Sequence, residues 1–193
     1  ALPAELPPHE RARIVAPGRR PATSNDPGLY DRPMVITVRP ATPADIDTLV
    51  AGNIAMALEA EHKRLDPATV QHGVKAVFDV PGRGRYFVAE IGGKVVGQAM
   101  YTYEWSDWRN GTFWWLQSVY VAPVARRTGV FREIHGFLER LAKDTPGVCG
   151  LRLYVELDNE TAQETYARCG MVNAGYLVME MDMSGAVTSA KGE

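Results

Sequence analysis

The sequence predicts an α/β (α+β) fold: a mixed, mostly antiparallel central sheet with helices on both faces. Three observations carry that prediction. Two-residue Gly92-Gly93 and Asn110-Gly111 links separate strand-like runs, and both positions of such links tolerate positive φ, which marks tight hairpins. Apolar residues recur at helical spacing in stretches before and after this meander. A chain of 193 residues with 46% hydrophobic and 23% charged residues is long enough to bury one full core.

Each element follows from local chemistry. Val35 to Arg39 reads as a short strand. Thr42, Pro43 and Asp45 supply an N-cap, an N1 proline and an acidic N3, and so start a helix with Ile46, Leu49, Val50, Ile54 and Leu58 on one stripe. Asp66-Pro67 starts a second helix that turns Val70, Val74, Val77 and Phe78 inward. Three strands follow, Tyr86 to Ile91, Lys94 to Trp105 and Thr112 to Val121. A helix from about Gly129 to Lys143 buries Val130, Ile134, Phe137, Leu138 and Leu141. Leu151, Leu153, Val155 and Leu157 alternate with polar residues as a strand, Asn159 to Cys169 reads as a helix, and Tyr176 to Asp182 reads as a last strand. In that last strand Met179 and Met181 are expected in the core. The predicted order is β-α-α-β-β-β-α-β-α-β.

The composition divides the chain. Nine of the 13 prolines fall in the first 43 residues. Proline removes a donor and fixes φ, so residues 1–33 are expected to be an arm without long regular elements, dispensable for chemistry. Residues 34–183 are the expected working domain and 184–193 a small polar tail. Two cysteines, Cys149 and Cys169, make no disulfide framework and no zinc spacing, so both are expected as reduced thiols and no metal is expected. With no apolar run near about 18 residues and no secretory h-region, the chain is expected to be cytoplasmic and not bound to a membrane. A net charge of −2 argues against nucleic acid bound through bulk charge.

Two motifs carry chemistry. In the first, Val119, Tyr120 and Val121 end a strand, and Ala122 to Thr128 form a turn that opens a helix at Gly129, Val130 and Phe131. A helix N-terminus presents unpaired N–H groups and the positive end of its dipole, so it receives anions. Arg126 and Arg127 add charge there, and Gly129 lets the backbone approach a ligand. The second motif is Asn159-x-x-Ala162-x-x-x-Tyr166-x-x-x-Gly170, in which Asn159, Ala162 and Tyr166 share one helix face.

Together, in this order and on this topology, the motifs resemble the GNAT family, the GCN5-related N-acetyltransferases, over about residues 35 to 183. In that family an Arg/Gln-x-x-Gly-x-Gly/Ala turn binds the diphosphate of acetyl-CoA. Here it reads Arg126-x-x-Gly129-x-Phe131, with phenylalanine in place of the last small residue. The resemblance implies that Val119 and Val121 bind pantetheine amides through their backbone, that a backbone N–H there polarises the thioester carbonyl, and that Asn159 hydrogen-bonds the pantetheine region. It implies that Tyr166 protonates the departing thiolate. The implied activity is transfer of an acetyl group from acetyl-CoA to an amine of a small molecule or peptide by direct attack, without a metal. The alternative is a CoA-binding sensor or partner module without transferase activity.

The family's glutamate base, four residues ahead of the position matching Val119, is Trp115 here. Glu104 is the expected substitute, with Glu156 and a water held by Gln117 or Ser118 as rivals. Trp105, Trp108, Trp114 and Trp115 lie within 11 residues of one another. They read as core plus an oligomer contact, which leaves room for a homodimer. They also read as an aromatic wall which, with Glu59, Glu61, Glu104 and Asp107, would suit a cationic or small amine.

Overall fold

The computed structural model describes residues 12–15, 35–181 and 183, and the rest of the arm and the 184–193 tail lie outside the described residues. They fall into two compact units, one reaching Glu156 and one beginning at Leu157.

The first unit is built on a six-stranded sheet in the order β1 to β6. The strands are β1 (Ala12–Val15), β2 (Val35–Pro40), β3 (Arg85–Ile91), β4 (Lys94–Ser106), β5 (Gly111–Val121) and β6 (Val148–Leu153). All neighbours are antiparallel except β5 and β6. Strand β1 comes from the proline-rich arm, where Ala12 pairs with Val38 and Val15 with Val35. Helices α1 (Ile46–Glu61) and α2 (Pro67–Asp79) connect β2 to β3, and α3 (Val130–Asp144) connects β5 to β6.

Helices cover both faces, as strand β3 shows. Phe87 and Ala89 face a cluster containing Ile134, Phe137 and Leu138 of α3. Their neighbours Tyr86 and Val88 face the opposite cluster with Leu49 of α1 and Val74 of α2. This is the period of two that a strand imposes, with both faces buried. Each fully buried side chain of the size of Ile134 or Leu138 contributes roughly 1.5–3 kcal/mol. Gly97 lets α3 lie close on the sheet, since a Cβ there would come within 2.7 Å of Val130 Cγ1.

Three expectations need correction. The strand expected over Leu151, Leu153, Val155 and Leu157 ends at Leu153, and Val155 and Leu157 are exposed. No strand forms in the described part of 176–182, where Leu177, Met179 and Met181 are at least 80% exposed. Alternation supplies a face, but a strand also needs a ladder partner, and the described residues offer this segment none. The third correction concerns the far end of α1: Leu49 is buried and Ile46 and Val50 pack beside it as expected, but Leu58 is 50% exposed, while Gly52, Asn53 and Ala57 are buried. Gln98 of β4 packs against Gly52 and Asn53. Its side chain lies where a Cβ on Gly52 would sit, within 2.3 Å, and it donates to Asn53 Oδ1 at 2.8 Å.

A charged cluster fixes the entry to α1. Arg39 of β2 donates to both carboxylate oxygens of Asp45 at 2.8 and 2.9 Å, and to Glu90 of β3 at 2.8 Å. The backbone N–H and hydroxyl of Thr42 also donate to Asp45, at 2.7 and 3.0 Å. Chiefly the Arg39 guanidinium, and then the Thr42 donors, hold the Asp45 carboxyl down at about 2, against an ordinary 3.8. A depressed carboxyl stabilises the fold above its unfolded value and loses that stabilisation as pH falls through its folded value. The contribution is about 2.5 kcal/mol, at about 1.4 kcal/mol per unit. Urea unfolding at successive pH values should therefore show the wild type losing most of it between pH 3.8 and about 2, a loss missing from Asp45→Asn.

Candidate active site

The site grows out of β5. Antiparallel β4 pairs with it to its end at Val121, whereas parallel β6 follows it only from Thr112 to Leu116. Beyond Leu116 one edge of β5 is therefore without a strand neighbour among the described residues.

That stretch also contains a bulge. Met100 pairs with Gln117 and Gln98 with Tyr120, so Ala99 opposes both Ser118 and Val119. Ser118 adopts φ +52°, the left-handed region that a residue with a Cβ seldom enters. The bulge re-aims the backbone between Gln117 and Tyr120 just before the chain leaves the sheet.

The exit is a fixed turn. Ala122 N–H bonds Val96 O at 2.9 Å, Ala125 N–H bonds Ala122 O at 2.8 Å, and Ala125 is buried. Thr128 Oγ1 donates to Ala125 O at 2.7 Å. Arg127 and Gly129 both take positive φ, +63° and +95°. The bond from Glu133 N–H to Gly129 O at 3.0 Å opens the α3 ladder. The amides just ahead of Glu133 therefore have no helix carbonyl behind them, which is the chemistry of an anion cradle. Val130 is fully buried and anchors the first turn, while Phe131 packs at 6.0 Å against the ring of His135. Phenylalanine in place of a small residue is thus accommodated along the helix side.

Arg126 is held in a network that spacing along the chain did not reveal. Its Nε donates to Val121 O at 3.0 Å, and its Nη2 pairs with Glu59 of α1. The Tyr120 hydroxyl donates to the same carboxylate at 3.4 Å. Burial first, and the Glu59 charge second, push the Tyr120 phenol up. Glu59 stands 67 residues from Arg126, and only the packing of α1 beside the end of β5 brings them together.

Glu104 lies elsewhere on the sheet. It pairs in register with Phe113 and accepts hydrogen bonds from Arg152 Nη1 at 2.5 Å and from Trp115 Nε1. The Arg152 guanidinium lies 3.8 Å over the Phe113 ring, and Trp115 stacks on Tyr154 at 4.3 Å. Five residues separate Glu104 from Ala99 at the bulge, about 17 Å along the strand. The tryptophans do not act as one wall: Trp114 is buried, Trp115 half-buried, and Trp105 and Trp108 exposed.

The second unit contains α4 (Glu160–Arg168). Asn159 caps it, its Oδ1 accepting from Ala162 N–H at 3.0 Å, which leaves its Nδ2 protons to give. Ala162 and Tyr166 are half-buried on the same face. Burial, and next the neighbouring Cys169, push the Tyr166 phenol above its ordinary 10.0, so it stays protonated at neutral pH. Gly170, at φ +83°, ends the helix. Among the described residues no group of three His, Cys, Asp or Glu is placed to hold a metal, and no helix is long and apolar enough to cross a membrane.

Residues 55–171 match the Acetyltransferase (GNAT) family. The chain belongs to that family, and its enzyme class is acetyltransferase. A solved structure of a possible acetyltransferase from Clostridium difficile 630 is 41% identical, superposes with a TM-score of 0.71, and is matched over 76% of this chain and 97% of the other. More distant likenesses show the fold alone. An aminoglycoside N-acetyltransferase, AAC(6')-Iy, in complex with CoA has 13% identity and a TM-score of 0.64 over 80% of this chain and 99% of its own. Glucosamine-6-phosphate N-acetyltransferase from Arabidopsis thaliana has 17% identity and a TM-score of 0.58 over 76% and 97%. No curated protein is significantly similar to this chain.

Proposed function

We propose that the chain transfers an acetyl group from acetyl-CoA to the amine of a small molecule by direct attack. The observation that carries this reading is the bulged, half-unpaired end of β5 running into an amide cradle at the start of α3. The donor set fits the cosubstrate: an array of N–H groups with two arginines for a diphosphate, and a free strand edge for the amide groups of a pantetheine chain. Acetyl-CoA supplies a thioester carbonyl that a neutral amine can attack, with a thiol as leaving group.

The residues then divide the work. The amides of Arg127, Thr128, Gly129 and Val130, with Arg126 and Arg127, hold the diphosphate, next to the Tyr120 and Phe131 side chains. Backbone groups of Val119 and Val121 align the pantetheine arm, and an N–H at the bulge stabilises negative charge as it develops on the carbonyl oxygen. Asn159 and Ala162 form a further contact face for that arm. Tyr166 gives its phenolic proton to the departing sulfur and recovers it from water. A thiol near pKa 8.5 needs only modest help of this kind.

For the amine's proton, a water held by Ser118 or Gln117 is favoured over Glu104. The Glu104 carboxylate is already committed to Arg152 and Trp115, and its register places it away from the bulge. Cytoplasmic location and the dispensability of residues 1–33 remain part of this reading.

Two variants test it. Gly129→Val forces a β-branched residue into φ +95°. The backbone shift that relieves this strain, of order 1–3 kcal/mol, should move the cradle amides and raise the Kd for CoA about ten-fold in calorimetry, with the melting temperature lowered by no more than about ten degrees. Unchanged affinity would remove the cradle from the proposal. Tyr166→Phe should lower kcat about a hundred-fold while CoA affinity stays within two-fold. Because the phenol is pushed up, the alkaline limb it causes in the wild type should lie above pH 10.0. Turnover within two-fold of wild type would end its role as acid.

A further inference from the structure

A cavity of about 290 Å³ opens between α1, α2 and the sheet, and Ser118 of the bulge is part of its wall. Its position beside Ser118 puts it next to the backbone proposed above to polarise the carbonyl. Most of its lining is apolar, including Met56, Val70, Val74, Val77 and Met100. None of its lining residues carries a charge among the described residues.

The polar edge of the cavity has a defined direction. Gln98 Nε2 donates to Leu49 O at 3.3 Å, and a carbonyl can only accept, so the orientation of the Gln98 amide is fixed. The same nitrogen donates to Asn53 Oδ1 at 2.8 Å, which fixes Asn53 in turn. Asn53 Nδ2 then donates to the Tyr86 hydroxyl at 3.1 Å. Tyr86 accepts in that bond, so its own proton is the one left to give. Gln98, Asn53 and Tyr86 are at most 9% exposed, and Tyr86 and Asn53 both line the cavity. A buried chain of this kind is directional and rigid, and it ends in a donor.

Resting on the transferase reading above, we infer that the acceptor is an amine carried on a small uncharged, apolar body with one hydrogen-bond-accepting oxygen, seated in this cavity with the oxygen on Tyr86. The apolar wall offers a polycation or a sugar phosphate no partner charge. An apolar body loses nothing there, and a carbonyl or hydroxyl oxygen satisfies the Tyr86 proton. A site built to donate to a substrate oxygen rejects the analogue that lacks it far better than it rejects a change of size.

The test compares four amines with acetyl-CoA: phenylalanine amide, phenylethylamine, spermine and glucosamine. Phenylalanine amide should exceed spermine and glucosamine at least ten-fold in kcat/KM, and should exceed phenylethylamine as well. In Tyr86→Phe the preference for phenylalanine amide over phenylethylamine should disappear. That variant leaves Asn53 Nδ2 without its partner, so a second one guards against misfolding. Gly73 of α2 lines the cavity, and a Cβ added there meets no atom within 4 Å. Gly73→Leu should keep the fold, by its melting curve, and raise KM for phenylalanine amide at least five-fold while the Kd for CoA holds. Preference for spermine or glucosamine, or a KM unmoved in Gly73→Leu, would overturn the acceptor assignment alone. Transfer to none of the four by a protein that binds CoA would overturn the transferase reading, and the assignment with it.

Discussion

Strand β5 has one complete neighbour and one incomplete one. Antiparallel β4 stays with it to Val121, but parallel β6 leaves it after Leu116. Backbone N–H and C=O groups must be satisfied by some partner, so the stretch between is a standing demand for water or a ligand. The surrounding architecture keeps that edge open and aimed. Helix α3 is tied to β4 through Gly97 and Val130, so its N-terminus arrives where β5 ends. The bulge at Ser118 turns the backbone there, and Ala125 anchors the turn between the two.

Most of this frame was legible in the chain. The Gly92-Gly93 link placed its hairpin because its φ requirement is local, and both glycines take positive φ, whereas at Asn110-Gly111 only Asn110 does: Gly111 already pairs with Ser106 in the ladder, so that hairpin closes through the four residues 107–110 rather than a two-residue link. Asp66 caps α2 as its side chain predicts, accepting from Thr69 N–H at 2.8 Å. The cradle was legible as an arginine pair and a glycine between a strand and an amphipathic stripe. What the chain concealed depends on pairing between distant segments. Ser118 carries no mark of a bulge, because the extra residue exists only relative to the register of β4. Glu59 cannot be matched to Arg126 without the packing of α1. The alternation in 176–182 resembles a strand until a ladder partner is sought.

The same contrast separates two kinds of polar group in the first unit. Arg39, Asp45 and Glu90 form a closed set in which every charge has a partner, and this cluster holds α1 at the edge of the sheet. Gln98, Asn53 and Tyr86 are also buried, but their chain ends in an unspent donor beside a cavity. In a closed polar set each group satisfies another, whereas an open donor is left for water or a ligand. Arg126 lies between these cases. Its guanidinium is partnered by Glu59 and Val121 O but stays exposed, so an anion at the cradle can compete for it at little desolvation cost.

In the proposed function the open end of β5 and the start of α3 together receive acetyl-CoA, and a crystal structure of the protein with CoA checks this. Diphosphate oxygens are expected within hydrogen-bonding distance of the amides between Arg127 and Val130, and pantetheine amides bonded to the backbone of Val119 and Val121. A CoA whose diphosphate sits away from the α3 N-terminus, or whose pantetheine arm leaves β5 unpaired beyond Leu116, would contradict it.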